Sequence, residues 1–141
     1  TTTRNADVLS YLSSLFSDTA GTAYVELTPL SWGNVAGGIL GDGVNNIIAP
    51  SNSYGAYAYD GANTANGPSI SPSGKVKAAI RWGNGKMRVF ANGVAGPESN
   101  YDGAFSLSSL LIGNNFYGNI KNVKSWYNRI LSDYLCQSMT A

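Results

Sequence analysis

The sequence predicts an all-β domain, an antiparallel β-sandwich closed by one short C-terminal helix. Three observations predict it. Turn-forming pairs recur roughly every eight to twelve residues, the spacing of a sandwich rather than of βαβ units. The segments between them alternate apolar and polar residues with period two. Helical signals are scarce until Ser132-Asp133 near the end. At 141 residues the chain makes one domain, 1–141, long enough to bury a single core.

Taken in order, residues 9–16 form a turn or an irregular edge segment, and 22–27 read as a strand. Residues 46–49 and 54–59 follow as strands. Around them stand the turn signals Gly37-Gly38, Asp42-Gly43, Asp60-Gly61 and Asn66-Gly67-Pro68. The clearest hairpin joins 75–82 to 86–93 through Gly83-Asn84-Gly85, whose residues tolerate the positive φ of a tight turn. Val76, Ala78, Ile80 and Trp82 share one face of its first arm, opposite Lys75, Lys77 and Arg81. On the second arm Met87, Val89 and Ala91 oppose Arg88, Phe90 and Asn92. One face goes to the core and the other to water or to a second layer. Asn92-Gly93, Gly96-Pro97 and Asp102-Gly103 read as further turns, and 105–112 and 119–126 complete the strands. Ser132 is a good N-cap for a helix from Asp133 to Met139, with Asp133 at the positive end of its dipole.

Composition excludes several functions. Charged residues make up 12% of the chain, against roughly a quarter in average soluble proteins. The net charge of +1 leaves no footprint for nucleic acid or an anionic membrane, and no apolar run is long enough to span a bilayer. There is no histidine, so His-based triads and His-ligated zinc are absent from this chain. The single cysteine, Cys136, makes no internal disulfide and reads as a buried apolar residue. Gly, Ser, Thr and Asn take the place of charge, beside 9 tyrosines. Such a surface acts through neutral hydrogen bonds and aromatic contact.

Two stretches resemble a known family. Residues 86–93 (KMRVFANG) are similar to a strand ending in an Asn-Gly turn in the laminin-G-like, concanavalin-A-like jelly rolls. Gly118, Ile120, Val123, Trp126, Arg129, Leu131, Ser132 and Asp133 fill positions of that family's closing strand-and-helix pattern. The version in bacteriophage tail and head fibres is more similar still. Its opening T-R-x-A-D-V is matched at 3–8 and its G-T-x-x-V-E at 21–26, although Asn5 follows Arg4 here. The resemblance implies the C-terminal part of a longer protein. That part would be a non-catalytic, glycan-binding tip of a homotrimeric fibre, carried on the virion and facing bacterial surface polysaccharide. Calcium-binding relatives point to Asp42, Asp60 and Asp102, but each stands in sequence apart from other carboxylates, and Asp-Gly is ordinary turn chemistry. No cofactor or metal is expected.

Glycoside hydrolysis needs two carboxylates about 5 to 9.5 Å apart, and no E-x-D-x-x-E pattern supplies them. Sugar binding needs flat aromatic faces with amides and hydroxyls beside them. The candidates are Trp32, Tyr54, Tyr57, Asn114, Asn115 and Tyr117, in a chain whose 52–66 stretch is rich in Asn, Ser, Thr and Tyr. Tyr57 and Tyr59 also suit cross-strand packing, and Trp82 and Trp126 suit the core. The other readings are a structural capping module packed on sister subunits, a depolymerase, and a cellular adhesion module.

Overall fold

The structure, a computed structural model, describes residues 9–11, 16–35, 37–42, 44–102, 105 and 110–141. Its strands are β1 (Leu9–Tyr11), β2 (Gly21–Pro29), β3 (Gly38–Gly41), β4 (Asn46–Ser51), β5 (Gly55–Tyr59) and β6 (Thr64–Asn66). They continue as β7 (Val76–Gly83), β8 (Lys86–Ala91), β9 (Val94–Asn100), β10 (Leu110–Asn114) and β11 (Gly118–Tyr127), before helix α1 (Asp133–Thr140). They pair antiparallel into two sheets. Sheet A has the order β1-β10-β3-β4-β5-β6 and sheet B the order β11-β2-β7-β8-β9. The expected jelly-roll sandwich is the fold.

The alternation read from the sequence sets the layers. Val76, Ala78, Ile80 and Trp82 of β7 and Met87, Val89 and Ala91 of β8 are all buried in the core between the sheets. There they meet Ile39, Leu40, Ile47 and Ile48 of sheet A. Trp82 stands edge-on to Phe105, ring centroids 5.5 Å apart, and its indole N–H donates to the Ser17 carbonyl at 2.9 Å. Burying the ring with its polar atom satisfied keeps the large apolar gain and avoids the cost of an orphan donor.

The opposite face of the hairpin meets a second layer. Helix α1 lies over sheet B, and Phe90, Ala79 and Tyr24 pack with Cys136 and Leu131 beneath it. Ser132 caps the helix, its hydroxyl accepting from Leu135 N–H at 3.3 Å. Asp133 takes Arg81 Nε at 2.5 Å and Arg88 Nη1 at 2.7 Å, so Arg81 is a clamp on the helix and not part of a solvated face. Trp126 belongs to this second layer, half-buried, and β11 runs one residue beyond it.

Three strands carry weak local signals and were not expected: β3, β6 and β9. Gly96-Pro97 is not a turn but the middle of β9, an edge strand where a residue without N–H breaks no ladder. Gly96 is needed there, since a Cβ would fall 2.2 Å from the Asn66 carbonyl oxygen of β6. That close approach, with Ser99 Oγ donating to the Thr64 carbonyl at 3.0 Å, seals one side of the sandwich. Of residues 9–16, Leu9–Tyr11 pair as an edge strand on β10, and 12–15 lie outside the described residues. The strand expected at 105–112 is β10, beginning at Leu110, with 106–109 outside the described residues.

Candidate functional site

Strand direction decides which loops meet. β2 ends at Pro29, opposite Gly118 of β11, and β3 begins at Gly38, opposite Asn114 of β10. The 30–37 connection, the β4–β5 turn, the 67–75 connection and the β10–β11 turn therefore gather at one end of the sandwich, called the rim below. Trp32, Tyr54, Asn115 and Tyr117 all stand on it, and Asn114 reaches it through its backbone pairing with Gly38. The side chain of Asn114 lies outside the described residues.

Hydrogen bonds tie these loops to one another. Ser31 caps a 3-10 turn at Trp32–Asn34. Trp32 packs half-buried on the core, and its indole N–H donates to the Gly74 carbonyl at 2.8 Å. Leu30 N–H donates to the Tyr117 carbonyl at 3.0 Å, and Ile70 N–H to the Ser53 carbonyl at 3.0 Å. Tyr117 is 68% exposed beside Asn115, whose φ of 54° forms the turn, and Leu30 is 82% exposed. Leu30 was missed in the sequence, where nothing separates it from the apolar residues of the preceding strand.

Tyr57 sits elsewhere. Ala56 and Ala58 face the core, so Tyr57 and Tyr59 stand half-buried on the outward face of sheet A. Asn66 and Ala49 flank Tyr57, and Thr64 and Asn46 flank Tyr59. Tyr59 donates its hydroxyl to the Gly61 carbonyl at 2.8 Å, which holds that ring in place. The site residues thus form a rim and an adjoining face, each carrying aromatic rings beside amides and hydroxyls.

Glu26, Asp42, Asp60, Glu98 and Asp133 have carboxylates engaged in structure. The segments Asp42-Gly43-Val44-Asn45 and Asp60-Gly61-Ala62-Asn63 link consecutive strands of sheet A with a common bonding pattern. In each, one carboxylate oxygen accepts two loop amides and the other accepts the Asn side chain. Asp60 also accepts Asp102 N–H at 2.9 Å, so two residues far apart in sequence meet. Burial pushes the Asp60 carboxyl up, but these hydrogen bonds outweigh it and hold it below the usual range. Among the described residues no group of three or more His, Cys, Asp or Glu converges to hold a metal.

On sheet B, Glu26 accepts from Asn122 Nδ2 at 3.0 Å, Lys75 Nζ at 3.2 Å and the Tyr24 hydroxyl at 3.1 Å. Asn122 and Lys75 hold its carboxyl down to about 2, while burial and then Glu26 push the Tyr24 phenol up to about 12. Glu98 and Asp133 both bind Arg81. Arg81 holds the Asp133 carboxyl below its usual range, and carboxyls held down as those of Asp133 and Glu26 are make poor proton donors near neutral pH. Burial raises the Cys136 thiol to about 11, so it is no thiolate nucleophile.

Solved structures share this fold. The CBM40 domain of a Ruminococcus gnavus IT-sialidase, bound to α2,3 sialyllactose, superposes with a TM-score of 0.65 at 15% identity, covering 92% of this chain and 86% of that one. The fold is a jelly roll. Native heptameric SAP-like pentraxin from Limulus polyphemus gives 0.62 at 13% identity, covering 86% and 70% of the two chains. Domain 4 of AbnA, a GH43 extracellular arabinanase from Geobacillus stearothermophilus in complex with arabinotriose, gives 0.59 at 17%, covering 87% and 68%. No protein-family model matches this jelly roll, and no curated protein matches it in sequence.

Proposed function

We propose that this jelly roll is a non-catalytic, glycan-recognising module and serves as the receptor-binding tip of a bacteriophage fibre. The observation that carries the glycan reading is the gathering of Trp32, Tyr54, Asn115 and Tyr117 on one rim, continuous with the Tyr57–Asn66 face of sheet A. Aromatic faces suit the C–H side of a sugar ring, and amides suit its hydroxyls. The solved jelly rolls bound to sialyllactose and arabinotriose support the same reading. The phage assignment rests on the sequence segments at 3–8 and 21–26. It places the domain on the virion, in several copies that raise a weak single-site affinity toward bacterial polysaccharide.

The test is a glycan-array and whole-cell binding screen, with oligomeric state measured by light scattering in the same buffer. Tyr57→Ala with Tyr117→Ala should weaken binding by at least about tenfold with the melting temperature unchanged. Unchanged binding sinks the site. Shortened polysaccharide after long incubation sinks the non-catalytic assignment. The exposed Leu30–Tyr117 pair favours a second reading, a structural cap packed on sister subunits. A silent array with a tight trimer selects it.

A further inference from the structure

Charge is divided unequally between the two sheets. Every strand of sheet B carries at least one Lys, Arg, Asp or Glu, and no strand of sheet A carries any. The division extends to the rim. Residues 30–37, 52–54, 67–75, 92–93 and 115–117 hold a single charged residue, Lys75, and Glu26 engages it at 3.2 Å.

The other cations are turned to different work. Arg81 and Arg88 clamp Asp133, Lys77 Nζ donates to the Ala141 carbonyl at 2.5 Å, and Lys86 donates to Asn100 at 2.8 Å. Lys121 and Lys124 stand on β11, the edge of sheet B farthest from β9. Arg129 follows β11 at the end of the sandwich away from the rim, where Thr22 holds its carbonyl. Arg4 lies outside the described residues.

We infer that the saccharide taken by this surface is uncharged. The inference rests on the glycan-binding reading above and adds the class of ligand. A sialic or uronic acid laid on a protein surface loses part of the hydration of its carboxylate. That loss is offset by a charge-assisted hydrogen bond, best from the forked guanidinium of arginine. Sheet A offers phenol rings, amides and hydroxyls with no ammonium or guanidinium on any of its strands, and the rim adds only the ammonium of Lys75, already paired with Glu26. A neutral hexose or pentose needs nothing more. The fold is shared with a domain bound to sialyllactose, but the donor set an acidic sugar calls for is missing from this face.

The experiment is calorimetric titration with lactose, α2,3- and α2,6-sialyllactose and arabinotriose, alongside an array of neutral and uronate-containing polysaccharides, at low and high salt. The expected ligands are neutral, with affinity changing by less than about twofold between the salts. Tyr57→Ala or Asn66→Ala should weaken binding at least about tenfold, and Lys124→Ala should leave it unchanged. An acidic glycan bound roughly tenfold tighter than its neutral counterpart, with affinity falling as salt rises, overturns the inference and leaves glycan recognition standing. Silence across the whole panel overturns both.

Discussion

Gly21 occupies a place where no side chain fits. A Cβ there would lie 2.5 Å from Cζ2 of Trp82, a ring pinned by its own hydrogen bond to Ser17 and by Phe105. The ring has nowhere to retreat, so Gly21→Ala should cost about 1 to 3 kcal/mol, read as a lowered denaturation midpoint with an unchanged m-value. A neutral result would mean that the indole shifts freely. The next residue, Thr22, is fully buried and uses both halves of its hydroxyl. It donates to the Arg129 carbonyl at 2.8 Å and accepts from Leu131 N–H at 2.9 Å. One side chain thereby fixes the path from β11 into α1. Trp32 teaches the opposite lesson about reading residues by type. Its aromatic character marks it as a contact residue, yet its N–H is already committed to Gly74, a partner 42 positions away that no local pattern announces.

Helix α1 has 8 residues, just over two turns, too short to persist in water alone, so its existence depends on docking. Asp133 is the clasp. Arg81, then partial burial working against it, then Arg88 set its carboxyl below the usual range. With 35% of that side chain exposed, solvent screening limits the pair, and Asp133→Ala should cost only about 1 to 2 kcal/mol. The sharper readout is Cys136, buried beneath the helix: its labelling by a thiol reagent should accelerate severalfold in the variant. Equal labelling rates would mean that apolar packing alone holds the helix. This element was legible in advance, because capping and dipole complementarity act within a few residues. So was the long hairpin, whose alternation spells out its faces; β11 was legible as a strand, but its register shift between Lys121 and Lys124 sets Ile120 and Trp126, alike in parity, against different layers. β3, β6 and β9 were not, being short or broken by Gly and Pro and held by partners remote in sequence. The candidate surface was legible to the same degree. Residue types named Trp32, Tyr54 and Tyr117, but their meeting on one rim follows from strand order, which no window of sequence contains.

The whole molecule responds to acid through carboxylates spread over both layers. Glu26 on sheet B, Asp60 on a sheet A loop and Asp133 on the helix are each held below their ordinary range. Their contribution is fully present above roughly pH 4.3 and is lost as pH falls through the folded-state values. For Glu26 that value is about 2. The melting temperature should therefore drop between about pH 5 and 2, and Glu26→Gln should flatten the drop while leaving the share of the two aspartates. Parallel curves for the two proteins would remove Glu26 from the account. At neutral pH the sandwich is closed along β6 and β9 and exposes β11 at its other margin, where Lys121, Lys124 and the Asn122 bulge discourage a foreign strand. The rim is tied by Trp32 to Gly74, Ile70 to Ser53 and Leu30 to Tyr117. A surface set in advance presents the same template at every encounter, and a polysaccharide presents the same epitope at every repeat. If that surface binds glycan as proposed, the two match in as many registers as the polymer has repeats. About ten repeats multiply the association constant about tenfold, some 1.4 kcal/mol of statistical gain without one added contact. On the proposed glycan-binding reading, a module held in this way steps from register to register along the polymer without leaving it.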